Sequence, residues 1–81
     1  LMLENNQIKE IYFDKVHYKN ELITLKLSSN KIKNFRINNL INLSLLDMNY
    51  NHISIIRKKS LENLFNLENL FLSFNKIEDI E

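Results

Sequence analysis

Apolar residues return along this chain in a fixed order. Leu22, Leu25, Leu27, Ile32 and Phe35 reappear as Leu43, Leu46, Met48, Ile53 and Ile56, and again as Leu67, Leu70, Leu72, Ile77 and Ile80. Each set holds one Asn in the same slot, at Asn30, Asn51 and Asn75. A partial copy opens the chain with Leu1, Leu3, Asn6, Ile8 and Ile11. The shared pattern is L-x-x-L-x-[LM]-x-x-N-x-I-x-x-[IF], and its Asn positions step by 24, 21 and 24 residues. Self-similarity at such a period marks a repeat array, in which each unit buries its apolar side only against its neighbours.

Within a repeat the two halves carry different periods. The L-x-[LM] alternation has period two and predicts a short strand with one buried face. Stacked copies then pair as a parallel sheet. The chain has no Gly and no Pro, so other residues must serve the turns, and Asn is the best suited because it tolerates left-handed backbone. Asn6, Asn30, Asn51 and Asn75 are expected to point inward as a structural ladder bonding turn backbone. A buried amide without a partner costs about 1–3 kcal/mol.

The linking segments align as well. Val16, Ile37 and Leu61 lie six residues before the first Leu of the next repeat, and Lys19, Leu40 and Leu64 lie three before it. Leu or Ile every third residue over 37–43 and 61–67 predicts a short helical or 3₁₀ turn. Lys19 breaks that pattern in the first link, which is expected to be the most irregular, with the Lys19 stem and Tyr18 covering apolar surface. The middle repeat is short because Arg36 alone separates Phe35 from Ile37, where the others have four residues, 12–15 and 57–60.

These motifs resemble the leucine-rich repeat family over the whole chain, with both typical 24-residue and short intracellular-type repeats represented. The resemblance implies an α/β solenoid: a right-handed coil with a concave parallel sheet, and short helical or 3₁₀ turns and loops on the convex side. Residues 1–81 then form a single array of about three and a half repeats. No cap is recognisable at either end, so a piece of a longer array is expected.

In that frame the outward slots of the strands become candidate contacts for a partner: Thr24 and Lys26, then Leu45, Asp47 and Asn49, then Asn69, Phe71 and Ser73. Tyr50 and Phe74 occupy the next slot, at the strand edge. Neighbouring strands lie about 4.8 Å apart, which predicts that Tyr50 meets Phe74 and that Leu45 or Asp47 flanks Phe71. Exposed apolar and aromatic patches of this kind mark protein contacts. The alternative is that these side chains pack on a neighbouring repeat, a cap or another chain.

Composition narrows the remaining chemistry. Charged residues make up 26% of the chain and nearly cancel to a net +1, which argues against capture of nucleic acid. No apolar run reaches the roughly 18 residues of a membrane-spanning helix. There is no Cys, hence no disulfide or thiolate metal site. His17 and His52 lack acidic companions at ligand spacing. No phosphate loop exists without Gly, and no nucleophile–base pair or paired carboxylates recur on one face. Arg57-Lys58-Lys59 reads as a solvated loop with a weaker anion-contact reading, and Lys31, His52 and Lys76 as a mildly basic edge. Asn42-Leu43-Ser44 matches a glycosylation sequon at chance frequency.

The resulting expectation is a non-enzymatic protein–protein interaction scaffold, with no cofactor and no metal. It binds another protein through the concave surface in an intracellular regulatory or assembly role, cytoplasmic rather than membrane-inserted. An extracellular recognition or adhesion module, or a structural subunit of a large complex, is the alternative.

Overall fold

The computed structural model describes residues 1–13 and 19–81. The expectations placed on Val16, His17, Tyr18 and the Lys19 side chain lie outside them. Seven short strands are present among the described residues: β1 (Glu10–Tyr12), β2 (Thr24–Lys26), β3 (Asn34–Arg36), β4 (Leu45–Asp47), β5 (Ile55–Ile56), β6 (Asn69–Phe71) and β7 (Asp79–Ile80).

The period-two alternation produces β2, β4 and β6. They pair in parallel in the order β2-β4-β6, with Leu25, Leu46 and Leu70 in register. A single bridge between Met2 and Lys26 carries the pairing into the first repeat. One face of this sheet builds the core. Leu25, Leu27, Leu46 and Met48 are fully buried, and Ile32, Ile37, Leu40, Leu43 and Ile53 are buried with them. Burying a side chain of this size contributes about 1.5–3 kcal/mol, so these residues are the main source of cohesion.

The expected architecture is not the one the chain adopts. In place of an α/β solenoid coil with one concave sheet, the parallel strands fall into three small sheets of two, three and two strands. The principal extents are 29 × 27 × 23 Å, close to equal. The described residues hold no α-helix and only two 3₁₀ turns, Lys19–Glu21 and Lys58–Ser60. The helical turns expected over 37–43 and 61–67 are absent. The backbone supplies the reason: Asn39 and Asn63 sit at φ 61° and 62°, and a left-handed residue interrupts any right-handed helical ladder. What remains are tight turns, one before Leu43 closed by Leu43 N–H to Leu40 O at 3.1 Å and one before Leu67 closed by Leu67 N–H to Leu64 O at 3.2 Å, the latter preceded by a further turn at Glu62–Asn63.

The two outer sheets were not expected. β1 pairs with β3, placing Ile11 opposite Phe35, and β5 pairs with β7, placing Ile56 opposite Ile80. β3 and β5 do not pair. The interruption falls at the 21-residue step. The last bond before it runs from His52 N–H to Ile32 O at 2.9 Å, and the next from Ile37 N–H to Ser60 O at 2.8 Å. Between these two bonds the third repeat carries three more residues than the second, read as 8 steps from Ile53 to Leu61 against 5 from Ile32 to Ile37. The surplus of the third repeat includes the Lys58–Ser60 turn. The first repeat carries the same surplus over the second and β1 still pairs with β3, so length alone does not separate β3 from β5.

Candidate functional site

The outward face of β2-β4-β6 gathers the candidate contact residues. Thr24, Lys26, Leu45 and Asp47 are half-buried, while Asn69 and Phe71 are exposed. Asp47 lies opposite Phe71, and Leu45 lies opposite Asn69. Two of the polar candidates are engaged with main chain. Asp47 Oδ1 accepts from the Asn49 N–H at 3.0 Å, and Asn49 Oδ1 accepts from the Ser73 N–H at 2.6 Å. The first bond closes the end of β4 on itself and the second ties it to the residues after β6.

Beside this face the chain turns inward, and its geometry there is unusual. The residue before each ladder Asn lies in the left-handed region: Asn5 at φ 57°, Ser29 at 57°, Tyr50 at 56° and Phe74 at 58°. Asn visits this region readily. A bulky side chain does so at a cost of about 1–2 kcal/mol, from the clash of Cβ with the following carbonyl. Tyr50 and Phe74 accept that strain and remain 53% and 68% exposed, so core packing does not explain them. Their rings stack in parallel, with centroids 4.3 Å apart and planes inclined by 3°. Phe71, 42% exposed on the neighbouring strand, extends the surface.

The ladder holds this turn in place. Asn51 Nδ2 donates to the carbonyls of Met48, Leu27 and Asn49 at 3.0–3.2 Å, and its Oδ1 accepts from the Ile32 N–H at 3.0 Å. Asn30 makes the same set with Leu27, Leu3, Ser28 and the Ile8 N–H. Asn75 makes it with Leu72, Met48, Ser73 and the Ile53 N–H. Asn6 is exposed and donates only to Leu3 O and Glu4 O. The backbone that presents Tyr50 and Phe74 is therefore pinned immediately beneath them by Asn51 and Asn75.

Other motifs resolve differently. The amide of Asn42, the sequon residue, donates to Asn20 O at 2.7 Å and ties two links together. His52 is exposed, and no group of three or more His, Asp or Glu gathers among the described residues. No described helix is long and apolar enough to cross a membrane. Sequence reasoning missed the left-handed backbone of Tyr50 and Phe74, although aligning them with Asn5 carries that signal. It also missed that Arg36 and Arg57 share a repeat slot, since each directly follows the aligned pair Phe35 and Ile56. No family model, curated protein or solved structure matches the chain.

Proposed function

We propose that the chain is a non-enzymatic protein-binding module that docks a partner protein on the outward face of β2-β4-β6 and on the stacked Tyr50–Phe74 edge. The observation that carries this reading is the aromatic pair: two large rings held in strained backbone, stacked on each other and left open to solvent. Strain of this kind persists where surrounding structure enforces it, and it concentrates at binding sites. Rigid, exposed aromatics are the side chains that dominate binding energy at protein interfaces. The resemblance to leucine-rich repeat proteins supports an intracellular regulatory or assembly role for the contact.

Affinity capture with quantitative mass spectrometry tests it, comparing wild type with Phe71→Ala/Phe74→Asn. Asn suits the left-handed backbone at position 74, so the variant removes the rings without forcing the turn. A partner retained by wild type and lost from the variant is the expected result. Equal recovery by both, with the variant folded by circular dichroism, overturns the proposal.

A further inference from the structure

Residues of β3, β5 and the Lys58–Ser60 turn line a cleft of about 320 Å³. Lys33, Arg36, Arg57, Lys58, Lys59 and Glu81 supply its charged lining. Among the described residues that is five of the chain's eleven Lys and Arg against one of its ten Asp and Glu, or +4 (5 − 1) for the described lining where the whole chain is +1. Arg36 ends β3, and Lys58 and Lys59 lie in a 3₁₀ turn whose last residue, Ser60, is buried and bonded to Ile37. The backbone of this turn is held by the Ser60 N–H to Arg57 O bond at 2.9 Å and the Ile37 N–H to Ser60 O bond at 2.8 Å. Arg57 meets Glu81 only at 3.9 Å, and Arg36 lies over the Tyr12 ring at 5.8 Å. Lys58 and Lys59 form no ion pair among the described residues.

We infer that this cleft binds a compact, multiply charged phosphate group. Its volume falls at the lower end of the roughly 300–1,000 Å³ typical of small-molecule sites, which suits clustered phosphoryl groups better than a peptide segment. Arg supplies planar paired donors and Lys supplies point charges, the combination that recognises phosphate oxygens. The facing edges of β3 and β5, unpaired with each other, add main-chain groups to the walls. None of the lining residues belongs to the proposed partner-binding face, so the two readings stand or fall separately.

Titration calorimetry with sodium tripolyphosphate at about 150 mM salt, where exposed charges more than about 8 Å apart are screened, tests the site. Lys58→Gln/Lys59→Gln is expected to weaken binding about tenfold or more, since charge-assisted contacts are the strong ones. The matched pair Lys31→Gln/Lys76→Gln, which removes equal charge elsewhere, is expected to change it less than about twofold. Amide chemical shifts should move at residues 34–36 and 56–60 and stay fixed at Phe71 and Phe74. Phosphatidylcholine vesicles carrying phosphatidylinositol 4,5-bisphosphate distinguish the source. Vesicle binding competed by tripolyphosphate assigns a lipid headgroup, and tripolyphosphate binding without vesicle binding assigns a soluble compound. Absent tripolyphosphate binding, equal weakening by the two lysine pairs, or vesicle binding that tripolyphosphate does not compete each overturns the inference.

Discussion

Replacing Asn51 by Ala removes one side chain and four hydrogen bonds. The partners do not suffer equally. Leu27 O keeps a donor from Asn30, and Met48 O keeps one from Asn75, both at 3.0 Å. The Ile32 N–H has no replacement, and Ile32 is fully buried. One orphaned buried donor costs about 1–3 kcal/mol, and each of the remaining neutral bonds about 0.5–1.5. With two carbonyls partly compensated, the expected loss is about 2–4 kcal/mol, a large fraction of the roughly 5–15 typical of a small domain. Asn51→Leu fills the space and leaves the same orphan, so it should lose a similar amount. Asn6→Ala provides the contrast: its two bonds are exposed and local, and its expected effect is within about 0.5 kcal/mol. Urea denaturation followed by far-ultraviolet circular dichroism measures all three. If Asn51→Ala and Asn6→Ala differ by less than about 0.5 kcal/mol, the inward amides are not what holds the turns.

Further predictions follow from the same geometry. Leu46 and Leu70 occupy one register position, but Leu46 is fully buried and Leu70 is 41% exposed; Leu46→Ala should cost about 2–5 kcal/mol and Leu70→Ala clearly less in the same denaturation assay. A double-mutant cycle on Tyr50→Ala and Phe74→Ala should return a coupling of about 0.5–1.5 kcal/mol, and a coupling near zero would refute the stack. Ser29, at φ 57° and exposed, should gain up to about 1 kcal/mol as Asn and lose about 1–2 as Val, read as opposite shifts of the urea midpoint.

The strands of the central sheet were legible because they carry two inward residues each side of a polar one, as in Leu25-Lys26-Leu27 and Leu46-Asp47-Met48. The outer strands were not. β3 shows a single inward residue, Phe35, and β5 shows Ile56 alone, too little for a period to register. The links misled for the opposite reason. Leu or Ile at every third position is what a helical turn requires, but Asn39 and Asn63 override it through backbone conformation, which apolar spacing does not record. The curved coil expected from the repeat needed both helical links and one unbroken sheet, and neither is present. At the candidate site, the neighbourhood of Tyr50 and Phe74 followed from the repeat frame. Their strained backbone did not, because nothing in an aromatic residue's identity announces a left-handed turn.

The Asn ladder also has a direction. The side-chain oxygens of Asn30, Asn51 and Asn75 each accept from an Ile in the repeat before, at sequence separations of 22, 19 and 22 residues. These three turns are thus locked by a residue that comes later in the chain. During synthesis, which proceeds from the N-terminus, the Ile8 turn stays unlocked until Asn30 has emerged, the Ile32 turn until Asn51, and the Ile53 turn until Asn75. Folding on the ribosome should advance in steps of about one repeat, each newly made Asn closing the unit behind it.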